Sequence, residues 1–244
     1  MNFLKLLNKK SLIAAHRGAS SKAPENTLLA MQKSVGLCDF IEIDVQLSSD
    51  GVAVILHDKT LERTTNVKKL SAYINRSSYK VSDFTYDELT VLDFGEGEKL
   101  LSLHSALKFI KEKKLYLNVE IKDVSEDFSA QKIVSTVLKE IKNLGVESQI
   151  LISSFRAEYL SLLKKISPEI AIAFLEDTHH HDNLVQYLKN LGADAYHINK
   201  KLLSQDLIDS LNSAGISVGV YVVNDKQEQK KLFAMGVNTI FTNL

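Results

Sequence analysis

Short runs of apolar and β-branched residues recur along the chain, separated by segments with apolar positions three and four apart. The runs at 11–16 (SLIAAH), 40–45 (FIEIDV), 115–121 (LYLNVEI) and 149–154 (QILISS) predict four strands. Those at 170–175 (IAIAFL), 195–198 (AYHI), 217–223 (SVGVYVV) and 238–242 (NTIFT) predict four more. Between them the clearest helix is 130–145, AQKIVSTVLKEIKNLG, with Gly145 placed to stop it. Segments 204–215, with Ser204 as N-cap and Gly215 as stop, and 226–236 repeat the plan. Eight strands alternating with helices point to the α/β class and a parallel sheet, and the count favours a closed (β/α)₈ TIM barrel as one domain over 1–244. Periodicity alone does not separate a closed barrel from an open sheet.

Two breaks in the rhythm stand out. Residues 59–99 are polar and lack a β/α period, which predicts a small insertion subdomain after the second strand. No helical segment follows the last run, so the early FLKLL stretch at 3–7 is expected to close the barrel's bottom or its flank. A membrane-surface role is the alternative for that stretch, and its small apolar area favours packing.

Polar residues inside the strand runs carry the chemistry. In IEIDV, Glu42 and Asp44 are two apart and so share one face of a strand. Glu120 and Lys122 in VEIK form a second pair of this kind. In a barrel these groups project inward near the carboxyl ends of the strands, where sites of this fold lie. Three carboxylates converging there need a cation, and one lysine cannot neutralise them. A hard divalent ion, Mg²⁺ or Ca²⁺, is the expected answer. His16 and Arg17 follow the first strand, with Gly18 allowing a sharp turn. His57 ends the segment that folds back through a hairpin at Asp50-Gly51. Two histidines beside a metal form an acid/base pair, and Arg17 and Lys122 suit phosphate oxygens.

Composition narrows the classes. Thirty basic and thirty acidic residues cancel, so the charge predicts no nucleic-acid partner. Cys38 is the only cysteine, which excludes an intrachain disulfide, and no apolar run approaches a membrane span. With no signal-peptide pattern at the start, a cytoplasmic location is expected.

The segments HRGASSKAPENT (16–27), EIDVQLSSDG (42–51), HD (57–58) and VEIK (119–122) resemble the glycerophosphodiester phosphodiesterase family. The resemblance runs from residue 11 to 244 and includes LERTT and DELTVLDFG in the insertion. It implies a (β/α)₈ barrel that uses a divalent metal to hydrolyse glycerophosphodiesters to glycerol 3-phosphate and an alcohol. Glu42, Asp44 and Glu120 match the family's metal ligands, His16 and His57 its acid/base pair, and Arg17 and Lys122 its phosphate contacts. Glu25 and Asn26 sit where the family braces the first histidine and the metal's surroundings. Departures occur at Tyr221, where a tryptophan is usual, at His104, where an acid is usual, and at Asn238 and Asn243 in the last strand segment. They bear on substrate choice.

Glycerophosphocholine and glycerophosphoethanolamine are the expected substrates. A lysophospholipid or phosphoinositol-like substrate is the same-fold alternative, and a non-catalytic phosphodiester-binding protein the more distant one. A homo-oligomer is left open. Ser154 and Phe155 at the end of the fourth strand, with Tyr221, are candidate pocket-lining residues. His197 either points into the barrel or packs in the core. The run His179, His180, His181 reads as an exposed loop, since three consecutive residues cannot all face one ion. Cys38 reads as core filler.

Overall fold

The parallel pairing expected of the apolar runs closes on itself. The structure, a computed structural model, describes residues 2–244; Met1 lies outside the described residues. Its strands are β1 (Leu12–Ala15), β2 (Phe40–Leu47), β3 (Ala53–Ile55), β4 (Leu117–Ile121), β5 (Ile150–Ser154), β6 (Ala171–Glu176), β7 (Ala195–Asn199), β8 (Ser217–Tyr221) and β9 (Thr239–Thr242). Eight of them pair in parallel around the barrel, and β3 folds back antiparallel on β2. Closure rests on β1 meeting β2, with Ala14 opposite Phe40 and Ala15 opposite Ile41. This is a (β/α)₈ TIM barrel.

The helices are α1 (Phe3–Leu7), α2 (Leu28–Ser34), α3 (Tyr86–Thr90), α4 (Leu103–Lys113), α5 (Ala130–Leu144), α6 (Ala157–Ile166), α7 (Leu184–Leu191), α8 (Gln205–Ser213) and α9 (Lys226–Ala234). Side-chain oxygens of Ser102, Ser129, Ser204 and Asp225 cap α4, α5, α8 and α9, satisfying first-turn N–H groups. Gly145 ends α5 at φ +63°, a conformation its missing Cβ makes cheap. The buried stripes of α5, such as Ile133, Val137 and Ile141, join strand residues including Val119 and Ile152 in the main core between helices and barrel.

Helix α1 plugs the bottom of the barrel. Phe3, Leu6 and Leu7 pack with Leu12, Phe40 and Phe241, which point inward from their strands. Phe3 meets the Phe40 ring edge-on at 5.1 Å and Tyr116 at 5.7 Å. Packing, rather than a membrane surface, accounts for this stretch. No helix of the described residues is long and apolar enough to cross a membrane.

The segment between β3 and α4 has a small core of its own, built from Leu61, Val67, Phe84, Leu89, Leu92 and Phe94. It is made of turns, two 3₁₀ turns and the single short helix α3, whose Thr85–Glu88 capping box is complete. Such irregular backbone explains why no regular period marks it in the sequence.

Candidate active site

Inward-facing positions on β2 and β4 meet at the carboxyl end of the barrel. The register sets Asp44 opposite Glu120 and Glu42 opposite Asn118. One carboxylate oxygen from each of Glu42, Asp44 and Glu120 lies within 4.8 Å of the others, the one such metal-compatible group among the described residues. Glu42 and Asp44 are 2 % and 1 % exposed.

The turn after β1 brings Arg17 to this cluster. Arg17 has φ +57°, Gly18 follows at +77°, and a Cβ on Gly18 would lie 2.7 Å from the Ala30 carbonyl carbon. Two successive left-handed residues aim the Arg17 backbone N–H at Glu42 Oε2, where it donates at 2.9 Å. The Arg17 guanidinium donates to Glu25 at 2.8 Å and stands 3.4 Å from Asp44. Asn26, also left-handed at φ +59°, donates its amide to Asp44 Oδ2 at 2.8 Å and accepts the Asp44 N–H at 3.2 Å. Glu25 and Asn26 thus brace the arginine and the acid cluster, and their side-chain hydrogen bonds go to Arg17, Arg63 and Asp44 rather than to His16. Lys122 donates to Glu120 at 2.6 Å and stands 3.4 Å from Asp44.

These cations do not satisfy the cluster. Glu42 Oε1 is buried with no hydrogen-bond partner. Burial, then the Asp44 and Glu120 charges, hold the Glu42 carboxyl well above its ordinary range. Glu120 is pushed up to about 7 by burial and Asp44, with Lys122 partly offsetting them. Burial would raise Asp44 too, but Lys122 and Arg17 outweigh it and hold that carboxyl below its ordinary value. Two cationic side chains against two buried carboxylates and one partly buried one leave an excess of negative charge and an orphan oxygen. A divalent cation with oxygen ligands fits such a donor set.

Both imidazoles are oriented by a side-chain oxygen, that of His16 remote in sequence and that of His57 on the next residue. His16 donates Nδ1–H to Asn243 Oδ1 at 2.9 Å, and His57 donates Nδ1–H to Asp58 Oδ1 at 2.7 Å. Their Nε2 atoms are left for chemistry. Burial and then the Arg17 charge lower His16 below its ordinary value, so it is neutral at neutral pH. Gln46 fixes the His57 segment by donating to the carbonyls of Leu56 at 2.8 Å and Asp58 at 2.7 Å. Arg63 from the insertion clamps Asp58 and also reaches both oxygens of Glu25, at 2.7 and 2.8 Å.

A cavity of about 400 Å³ opens onto these groups. It is lined by His16, Arg17, Glu42, His57, Glu120 and Lys122, and further out by Phe155, Asp177 and Tyr221. Ser154 is turned the other way by strand alternation; its hydroxyl donates to Ile121 O at 2.7 Å and accepts from Arg156 N–H at 3.1 Å. His180 is tied to Tyr196 and Leu202, and His181 stacks on Tyr187, so the histidine run stays outside the cavity. His104 pairs with Glu140 on the outer surface. Cys38 is partly buried, and burial pushes its thiol up to about 11, an inert state. Asn243, Gln46, Arg63 and Asp177 were not singled out as site residues from the sequence, and Asp58 only as part of a motif. The partners of Asn243 and Tyr221-bound Asp177 lie too far along the chain for local spacing to reveal, and the Asp58, Arg63 and Gln46 contacts depend on turns that carry no regular period.

The Glycerophosphoryl diester phosphodiesterase family model matches residues 16–244. The chain belongs to that family. It is 31 % identical over 245 residues to a Glycerophosphodiester phosphodiesterase of Caldanaerobacter subterraneus subsp. tengcongensis, covering 96 % of this chain and 94 % of that one. A Bacillus altitudinis protein of the same name is 31 % identical over 243 residues, covering 95 % and 94 %. Among solved structures, an Oleispira antarctica phosphodiesterase in complex with the product sn-glycerol-3-phosphate superposes with a TM-score of 0.83 at 27 % identity, covering 95 % of this chain and 92 % of that one. The family is divalent-metal dependent, and the acid cluster of this chain is suited to such an ion.

Proposed function

We propose that the chain hydrolyses glycerophosphodiesters such as glycerophosphocholine and glycerophosphoethanolamine to glycerol 3-phosphate and the free alcohol, using Mg²⁺ or Ca²⁺. The observation that carries this reading is a group of three carboxylates, two of them lining one cavity together with two imidazoles and two cationic side chains. Glu42, Asp44 and Glu120 would hold the cation. When bound, it supplies charge neutralisation and Lewis acidity at the phosphate. Arg17 and Lys122 orient the phosphate oxygens by ionic hydrogen bonds. One imidazole takes the proton of the attacking hydroxyl, either water or the glycerol 2-hydroxyl, as its oxygen bonds to phosphorus; in the second case the cyclic phosphate formed is then opened by water to glycerol 3-phosphate. The other gives a proton to the alcohol oxygen as its bond to phosphorus breaks. Asn243 and Asp58 hold the rings in the tautomer that presents Nε2.

A small cationic alcohol suits the cavity's mouth. Asp177 forms no ion pair among the described residues, and the Tyr221 hydroxyl donates to it at 3.0 Å. Phe155, 38 % exposed, lines the same cavity with an aromatic ring that already lies 6.0 Å from the Lys122 ammonium. A carboxylate at this position disfavours an acyl chain. The partner is thus a small molecule rather than nucleic acid, and the lone cysteine accords with a cytoplasmic setting.

Release of glycerol 3-phosphate from glycerophosphocholine tests the proposal. Turnover should vanish with chelator and return when Mg²⁺ or Ca²⁺ is added back. Absence of product with every cation and every glycerophosphodiester tried would refute it.

A further inference from the structure

The inner end of the cavity contains polar atoms that the metal, the acid/base pair and the phosphate contacts do not use. His197 lies on β7, lines the cavity and is 1 % exposed. Its ring stands edge-on to Phe241, with centroids 4.7 Å apart. The adjacent strand makes room for it with Gly219, where a Cβ would lie 2.5 Å from His197 Cδ2. Neither Nδ1 nor Nε2 has a hydrogen-bond partner. Asn118 on β4 lines the same cavity, is 1 % exposed, and leaves Oδ1 without a partner.

Leaving a buried polar group unpaired costs about 1–3 kcal/mol, and a phenylalanine or leucine would fill such a space without that cost. Two residues of this kind facing one cavity therefore point to a polar ligand. Burial holds the His197 imidazole neutral, with its pKa pushed down to about 3, so the ring offers one donor and one acceptor. Such a pair suits a hydroxyl, which both donates and accepts, and does not suit a charged group. The cavity is charged at Arg17 and Lys122, where phosphate belongs, and opens outward at Phe155 and Asp177. Away from these charges, His197 and Asn118 are set in the lining among the apolar Leu175, Val222 and Phe241.

We infer that His197, supported by Asn118, receives a hydroxyl of the glycerol half of the substrate and selects glycerol-bearing phosphodiesters over others. This rests on the phosphodiesterase reading above. His197 is a specificity-determining residue here and moves no proton in the reaction.

The test compares binding of sn-glycerol 3-phosphate and propyl phosphate, which lacks both hydroxyls, to the cation-loaded protein by calorimetry. The wild-type protein should favour glycerol 3-phosphate by roughly tenfold or more. His197→Phe should reduce that preference to within about threefold by weakening glycerol 3-phosphate alone. Thermal melting checks the fold, and the smaller His197→Ala serves if the phenylalanine variant does not fold. Preference retained in the variant, no preference in the wild type, or equal weakening of both ligands would overturn the inference. Wild-type turnover of glycerophosphocholine, run alongside, separates the two readings. Turnover with an unchanged preference defeats only the role of His197, whereas no turnover defeats the proposed function itself.

Discussion

Arg63 grips Asp58 with two hydrogen bonds, Nε to Oδ2 at 2.5 Å and Nη2 to Oδ1 at 2.9 Å. Since Asp58 also accepts the His57 Nδ1–H, the insertion reaches the proposed acid/base residue His57 through Arg63. The same guanidinium holds Glu25, which holds Arg17, so one side chain braces both the proposed acid/base residue His57 and the proposed phosphate contact Arg17. Arg63→Ala should lower kcat by roughly 10- to 100-fold while the protein stays folded. Arg63→Lys should recover only part of the loss, because a lysine cannot make the planar two-sided contact. Steady-state kinetics on glycerophosphocholine, paired with thermal melting, would show this. Unchanged kcat in Arg63→Ala would mean the clamp is structural ornament.

His16→Ala and His57→Ala should each reduce saturating turnover by on the order of 10²–10⁴. The double variant should lose much less than the product of the two, since both imidazoles serve one proton-transfer cycle. Losses below about tenfold for both single variants would remove them from the chemistry.

The acid cluster predicts an unusual pH dependence of stability. Burial and the Asp44 charge raise the folded Glu120 carboxyl from its ordinary 4.5 to about 7. Between those values the folded chain keeps a proton that the unfolded chain has lost. The stabilising contribution is thus complete below about pH 4.5 and disappears as pH rises through about 7. Glu42, raised chiefly by burial, acts in the same direction. Asp44 is held below its ordinary 3.8, so its contribution is lost only in acid. Without a divalent cation, Tm should fall between about pH 4.5 and 7. Saturating Mg²⁺ or Ca²⁺ should abolish that fall, because the ion binds the deprotonated carboxylates. Melting curves with chelator and with cation are the measurement, and parallel pH profiles would speak against the coupling.

The bottom of the barrel supplies a stability prediction that leaves the chemistry alone. Phe3 is 1 % exposed and packs against Phe40 and Tyr116. Phe3→Ala should cost about 3–5 kcal/mol in denaturant unfolding, with the activity of the folded protein retained. A change within about 0.5 kcal/mol would mean that α1 is dispensable.

The strands were legible because each is an apolar, β-branched run, and alternation along β2 and β4 placed Glu42, Asp44 and Glu120 on one face. Barrel closure was legible only through the count of eight strands and the family resemblance, because the Ala14–Phe40 pairing leaves no mark on local pattern. Strand ends shifted for local reasons: Ser11 and His16 lie outside β1, and Ser11 sits at φ +62°. The hydrogen bond from His16 to Asn243 joins the first and last strand segments, and no spacing rule reaches across that separation. The same parity rule that found the acids also turns Ser154 away from the cavity, since its neighbour Ser153 shares the register and face of Glu120. His197 was left between two readings because a histidine in an apolar run looks the same whether its nitrogens are paired or orphaned.

The central claim is that Glu42, Asp44 and Glu120 hold one divalent cation. Calorimetric titration of chelator-stripped protein with Ca²⁺ and with Mg²⁺, in wild type and in Glu42→Gln and Glu120→Gln, addresses it most directly. One ion should bind per chain, with affinity reduced by roughly tenfold or more in either variant. Wild-type protein that takes up neither ion and still turns over glycerophosphocholine fully in chelator would contradict the account.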